Sequence, residues 1–159
     1  MVKEYEQFEV RSYEASLFNS VKLDTDQYEE ASSKGFRILA GYIFGGNEDE
    51  QQIAMTSPVA MTLEDSMTMM FMVPKEFDKD KLPKPNQSSI EFVEIPSKKM
   101  AAVTFGGWAN DNKIEKYKQK LIEELEKENI SFTNQFYYFG YNAPYELTNR
   151  KNEVLVELE

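Results

Sequence analysis

The 159-residue chain contains neither histidine nor cysteine. Without cysteine, disulfides, thiol catalysis and cysteine-based zinc sites are excluded. Without histidine, a Ser-His-Asp triad, an H-E-x-x-H metal site and a metal-binding imidazole are excluded. Catalysis would have to use carboxylates, tyrosine, lysine or methionine, so we expect a binding protein rather than an enzyme.

Basic residues are also scarce relative to acidic ones. The chain has 18 Lys and Arg against 28 Asp and Glu, a formal net charge of -10. Such a field repels phosphate backbones and anionic lipids, so we expect no nucleic-acid partner. No apolar run approaches membrane-spanning length, and no basic region followed by an apolar stretch opens the chain. This pattern predicts no membrane insertion and a cytoplasmic protein.

The chain contains one pattern twice: a hairpin, a helix, a strand with a proline, and a further strand. The half-repeats cover about residues 5–74 and 90–159, with a linker at 75–89. Corresponding points are offset by about 85 residues, as in Glu9 with Glu94 and Pro58 with Pro144. Residues 1–159 are long enough for a single domain with a real core. We therefore predict one domain of two half-domains packed about a pseudo-twofold axis, with the seam as one place for a ligand.

The local patterns predict an α+β fold with an antiparallel sheet and two helices. Alternating apolar and polar residues predict strands over 7–13, 16–23, 53–64, 67–73, 90–95, 100–105, 132–141 and 154–158. The first two of these strands, and those at 90–95 and 100–105, are each expected to form a hairpin. Residues 24–26 offer a helix N-cap before a helix that ends near Phe44, and Asn110 or Asp111 caps a helix that runs to about Asn129.

The two predicted helices differ in their apolar surface. The second has one narrow apolar stripe, as expected for a helix lying on a sheet. The first has a sheet-facing stripe and also a second apolar flank, formed by Phe36, Ala40, Ile43 and Phe44. Either a loop covers this flank or the flank lines a ligand groove. Gly35, in the middle of the helix, favours a close helix–sheet contact over the alternative of room for a flat ligand.

Several segments, taken together, resemble the SOUL family of haem-binding proteins. They occur in the same order over essentially the whole chain: 8–13 (FEVRSY), 36–39 (FRIL), 42–47 (YIFGGN), 53–59 (IAMTSPV), 71–74 (FMVP), 105–107 (FGG), 140–144 (GYNAP) and 149–154 (NRKNEV). The resemblance implies a distorted antiparallel β-barrel of two pseudo-symmetric halves, each with one long helix packed on the sheet. It also implies non-covalent binding of haem or a related tetrapyrrole, as a carrier, buffer or sensor.

Carried over by position, the resemblance implies an open hydrophobic groove along the first helix. Its residues would be Phe36, Arg37, Ala40, Gly41 and Phe44, with Tyr145 closing it and Lys34 and Arg37 pairing with propionates. The methionine-rich segment 54–72 mainly suggests core packing, although a thioether can ligate haem iron. We regard Met55 and Tyr42 as candidate iron ligands and, without an imidazole, expect weak axial ligation or none.

Three other functions stay open. The fold resembles gyrase-inhibitor-like and effector-binding domains, which bind lipophilic small molecules, often cations, in a cleft with a buried carboxylate. Glu94, Glu153 or Glu157 could supply that carboxylate, although we expect each on a solvated strand face. The apolar flank of the first helix could instead be a docking surface for a protein partner. An enzyme acting on a tetrapyrrole or a small lipophile is the fourth possibility.

Overall fold

Nine strands and two helices are present in a computed structural model, which describes residues 3–53, 59–63, 66–74, 82–141 and 150–159. The helices are α1 (Tyr28–Ile43) and α2 (Asp111–Lys127). The strands are β1 (Lys3–Glu4), β2 (Glu9–Tyr13), β3 (Ser16–Lys22), β4 (Val59–Thr62), β5 (Thr68–Met72), β6 (Ile90–Ile95), β7 (Lys98–Gly106), β8 (Phe132–Gly140) and β9 (Lys151–Leu158). The predicted α+β class is confirmed. The division into two half-repeats with a linker stays a prediction from the sequence.

All of these strands belong to one antiparallel sheet in the order β1-β2-β7-β9-β8-β4-β5-β3-β6. Among the described strands the sheet does not close, because the end strands β1 and β6 do not pair with each other. The antiparallel sheet with its two helices is confirmed, whereas closure of the sheet into a barrel is not. The edge strand β1 explains this: it is only two residues long, and Lys3 and Glu4 are both exposed, a composition that protects an edge from further pairing.

The two predicted hairpins are wrong, although their strands exist. β2 pairs with β1 and β7, and β3 pairs with β5 and β6, so β2 and β3 do not pair with each other. Likewise β6 pairs with β3 while β7 pairs with β2 and β9. Two-residue hairpin turns need positive φ angles, and the links at residues 14–15 and 96–97 have none. Each link therefore carries the chain to a different part of the sheet.

The sheet has an apolar core on each of its faces. Along β9, Val154 and Val156 face the cluster that contains the buried residues of α1 and α2, whereas Leu155 belongs to a second cluster on the opposite face. That second cluster holds buried residues of β4, β5, β7 and β8 and no helical residue. Leu155 is completely buried even so. The sheet must therefore curl so that its helix-free face covers itself.

The starts of the two helices only partly follow the predicted capping. Asn110 caps α2 as predicted, since its Oδ1 accepts from the backbone N–H of Lys113 at 2.8 Å. The predicted cap of α1 within residues 24–26 is wrong, because the N-cap is Gln27 and its side chain makes no capping hydrogen bond. The N–H of Tyr28 donates instead to Asp111 Oδ1 at 2.7 Å. A carboxylate at the start of α2 thus also serves the start of α1.

Gly35 brings α1 close to the sheet. A Cβ atom at this position would lie 3.0 Å from Leu23 Cδ1 and 3.0 Å from both Cβ and Sδ of Met69. The close helix–sheet contact is therefore confirmed, and no space is left there for a flat ligand. Among the described helices, neither is long and apolar enough to cross a lipid bilayer.

Candidate functional site

A cavity of about 330 Å³ lies beside the N-terminal half of α1. The helix contributes Tyr28, Phe36 and the residues between them that face outward, and the sheet contributes β4, β5 and β8. Its buried floor includes Met61 and Met69, whose side chains belong to the main core. Small-molecule sites in proteins are typically about 300–1,000 Å³. The cavity is therefore large enough to hold part of a ligand whose remainder lies along the helix.

The rim of this cavity carries an aromatic ring and a cation. The guanidinium carbon of Arg150 lies 4.0 Å from the centre of the Trp108 ring, a cation–π contact. Trp108 is 52% exposed, so about half of its surface is accessible to solvent or to a ligand. Glu29 on α1 is the acidic residue in the same lining. The rim thus offers a flat apolar surface beside one positive and one negative charge.

The polar group at the bottom of the cavity is the phenol of Tyr138. Its hydroxyl donates to Asn152 Oδ1, and the ring meets the Tyr28 ring edge-on at a centroid distance of 5.0 Å. Asn152 in turn donates to the carbonyl of Gly107 at 2.7 Å. Burial raises the pKa of Tyr138 far above its ordinary value. The phenol is therefore neutral at physiological pH and acts as a hydrogen-bonded packing group rather than as a phenolate.

Of the predicted groove residues that the structure describes, Phe36 lines the cavity. It is half-buried, and its ring centre lies 5.8 Å from that of Phe71. Ala40 and Ile43 are buried, whereas Phe44 is 62% exposed, so the flank is exposed again only at the end of α1 and is not a continuous surface from the cavity. A Cβ at Gly41 would meet nothing within 4 Å. Lys34 and Arg37 are exposed on the same helix.

The candidate iron ligands are differently placed. Met55 lies outside the described residues, as does Tyr145, the residue predicted to close the groove. Tyr42 is 1% exposed, and its hydroxyl donates to the carbonyl of Pro83 at 2.6 Å. Burial raises the pKa of Tyr42 to about 12. Its hydroxyl is thus neutral and already engaged within the core. Among the described residues, no group of three or more acidic side chains is arranged to hold a metal ion.

Trp108 and Arg150 are cavity residues that the sequence analysis did not assign to the site. Both stood within or beside segments that carry the family resemblance, Trp108 after 105–107 and Arg150 within 149–154. Their position in or next to those segments, and the fact that Trp108 is the single tryptophan, were the features of the sequence that could have assigned them to the site. Their contact joins the loop after β7 to the start of β9, and the two residues are 42 positions apart in the sequence.

Glu153 lies on the helix-free face of the sheet and is 0% exposed, so the expectation of a solvated carboxylate is wrong for it. Arg11 Nη1 donates to Glu153 Oε1 at 2.8 Å, Thr104 Oγ1 donates to Oε2 at 3.1 Å, and the Tyr141 hydroxyl also donates to Oε1. Burial by itself raises the pKa of Glu153, but the hydrogen bonds from Arg11 and Tyr141 outweigh burial and hold the pKa below its ordinary value. By contrast Glu94 is exposed, as expected.

The fold and this arrangement can be compared with known proteins. The solved C-terminal domain of EcmrR is similar in structure, with a TM-score of 0.74 at 12% identity over 96% of this chain and 97% of that one. At this identity the similarity establishes the fold alone. The class of fold is therefore a curled antiparallel sheet with two helices on one face.

The family is established by sequence. The model of the SOUL heme-binding protein family matches residues 1–157, and the chain belongs to that family. It is 31% identical to heme-binding protein 2 of Homo sapiens over 157 residues, which cover 92% of this chain and 76% of that protein. It is 29% identical to heme-binding protein 1 of Xenopus laevis over 92% of this chain and 81% of that protein.

Proposed function

We propose that this chain binds haem or a related tetrapyrrole non-covalently in the groove along α1, as a carrier, buffer or sensor. The observation that carries the proposal is that Phe36, a groove residue expected from the family, lines a cavity together with Trp108 and Arg150. An aromatic wall and a cation are what a flat apolar ring system with carboxylate arms requires. Family membership supplies the ligand class.

The described residues divide the binding between two kinds of contact. Phe36 and Trp108 offer apolar surface to the macrocycle, and the exposed Phe44 offers a separate apolar surface at the end of α1. Arg150, with Lys34 and Arg37 on the exposed side of the helix, offers positive charge to the carboxylates of the ligand. Glu29 opposes them, so we expect modest affinity that falls with ionic strength.

Bound haem would add a redox-active iron, for which this chain offers few ligands. Histidine is absent, and the phenols of Tyr138 and Tyr42 are neutral and hydrogen-bonded. Binding energy would therefore come from apolar burial and charge pairing, and the bound haem would be high-spin with weak axial ligation or none.

The proposal is tested by titrating the protein with hemin and with iron-free protoporphyrin. Trp108 is the only tryptophan and lies at the rim of the cavity, so quenching of its fluorescence reports on the site directly. We expect saturable quenching by both ligands and a Soret band that grows with hemin. A Phe36→Asp variant, which places a charge against the ligand, should weaken both affinities about tenfold or more.

A Phe36→Leu variant is the matched control, because it keeps an apolar group of similar reach and should stay within about threefold of the wild type. Circular dichroism must show that both variants are folded. Absence of saturable binding by either ligand would refute the proposal. Equal affinities in the wild type and a folded Phe36→Asp variant would remove the groove as the site.

A further inference from the structure

The helix-free face of the sheet contains a second cavity, on the opposite side from the α1 groove. Seven strands line it, from β2 near one end of the strand order to β6 at the other. Its volume is about 60 Å³, more than the roughly 10–15 Å³ that one water needs. Half-buried Tyr13, Phe18 and Ile95 surround its mouth, and Ala60 lies buried inside. A space so lined favours an apolar occupant over water.

This cavity can adapt to its occupant. Met70, Met72 and Met100 contribute three thioethers to its lining, and Tyr137 and Phe139 contribute aromatic rings. Methionine has three rotatable bonds and a polarisable sulfur, so it repacks around ligands of different shape at low cost. An occupant with one or two aromatic rings would displace these side chains or extend into the mouth.

The carboxylates of this face are already paired. Glu157 accepts from the Tyr137 hydroxyl at 2.8 Å and forms an ion pair with Lys98, which lines the cavity. Glu153 is paired with Arg11, which also bonds the partly exposed Glu9. Neither Glu157 nor Glu153 is part of the lining of the cavity, whose acidic residue is the exposed Glu14, which also has an interaction partner. Lys98 and the Tyr137 hydroxyl both meet Oε1 of Glu157. A cation entering this cavity would therefore compete with Lys98 for Glu157.

We infer that the cavity is a second binding site, for neutral lipophilic molecules with an aromatic ring, and that Lys98 determines its charge preference. Lys98 occupies the position at which a ligand cation would pair with Glu157. Without that lysine, the Glu157 carboxylate would lie unpaired by a cation beside an apolar cavity. The carboxylate would then attract a cationic ligand, whereas it would not improve the binding of a neutral ring. The site is independent of the α1 groove.

The test uses two isosteric probes, neutral 1-methylnaphthalene and cationic N-methylquinolinium, which compete with the neutral fluorescent dye N-phenyl-1-naphthylamine. We expect the wild type to bind 1-methylnaphthalene at least about tenfold more tightly than the cation. In Lys98→Met, affinity for the cation should rise about tenfold or more, while affinity for 1-methylnaphthalene changes less than about threefold. Adding Glu157→Gln to Lys98→Met should abolish that gain.

Two controls show which cavity the probes occupy. They also distinguish an error in this inference from an error in the proposed haem-binding function. Phe36→Asp should weaken hemin binding and leave the naphthalene probes unaffected, since Phe36 is absent from the lining of this cavity. Hemin should likewise fail to displace the dye. The inference is overturned if the neutral probe does not bind, if the wild type binds both probes equally, or if folded Lys98→Met gains nothing for the cation. Weakened binding of the naphthalene probes to a folded Phe36→Asp variant, or displacement of the dye by hemin, would also overturn it.

Discussion

The close contact between α1 and the sheet can be tested by replacing each of two glycines of this helix, Gly35 and Gly41, with alanine in separate variants. Replacing glycine by alanine inside a helix stabilises it by up to about 1 kcal/mol, because alanine loses less backbone entropy on folding. At Gly41 the added methyl would meet nothing within 4 Å. We therefore expect Gly41→Ala to raise the free energy of unfolding by about 0.5–1 kcal/mol.

At Gly35 the same helix gain is opposed by crowding. The methyl would lie 3.0 Å from atoms of Leu23 and Met69. Each of those residues is 2% exposed, and the contact with Met69 Cβ is not relieved by a rotamer change, because that atom is fixed by the backbone of β5. Overpacking a tight core costs about 1–3 kcal/mol, which exceeds the helix gain. We expect Gly35→Ala to lower the free energy of unfolding by about 1 kcal/mol, which separates the two variants by about 2 kcal/mol.

Urea denaturation, followed by circular dichroism and by Trp108 fluorescence, measures this difference. In a chain of this size it corresponds to roughly 4–8 °C in Tm between the variants. If Gly35→Ala proves as stabilising as Gly41→Ala, α1 does not approach β5 as closely as described. Space for a flat ligand over Gly35 would then have to be reconsidered.

Two further predictions concern buried polar groups. Glu153→Gln should destabilise the protein by about 2–3 kcal/mol at pH 7, because Arg11 loses a buried partner but keeps Glu9. The folded state holds the pKa of Glu153 below 4.5, so the ionised carboxylate stabilises the protein fully above pH 4.5, and this stabilisation is lost as the pH falls toward the lowered pKa. The difference in free energy of unfolding between wild type and variant should therefore narrow in acid. A constant difference from pH 7 to pH 3 would contradict the ion-pair account. Tyr42→Phe should cost about 1 kcal/mol by removing the hydrogen bond to Pro83, and the spectrum of bound hemin should not change; a shifted Soret band would restore Tyr42 as an iron ligand.

Periodicity predicted the helices and most of the strands but not their pairing. Alternation reports which residues of a strand are buried and says nothing about the neighbouring strand. The short predicted links at 14–15 and 96–99 therefore suggested hairpins, whereas β2 in fact pairs with β7 and β3 with β6. Loop length alone does not define a hairpin when the φ angles that its turn requires are missing.

The candidate site was predictable to a similar degree. Phe36 could be assigned because apolar residues on a second helix flank have no sheet to cover. Arg150 and Trp108 could not be assigned, because their contact is made in space between distant segments. Glu153 was named as a candidate carboxylate, but its burial was not predicted, because a glutamate in a strand is ordinarily solvated. Only its tertiary partners Arg11, Thr104 and Tyr141 compensate for its burial.

The chemistry of the available side chains also bears on what the α1 groove can recognise. With no imidazole or thiolate in the chain, and with the hydroxyls of Tyr138 and Tyr42 donated to other protein groups, strong axial bonding does not contribute to the proposed binding. The contacts that remain are an aromatic wall at Phe36 and Trp108 and the charge of Arg150, and they act on the macrocycle and its carboxylates.

Hemin and protoporphyrin share both the macrocycle and the carboxylates. On the proposed function their affinities should therefore agree within about threefold, a difference of less than 1 kcal/mol. A much tighter complex with hemin would instead require an iron ligand, either a thioether of the cavity floor, from Met61 or Met69, or Met55, which lies outside the described residues.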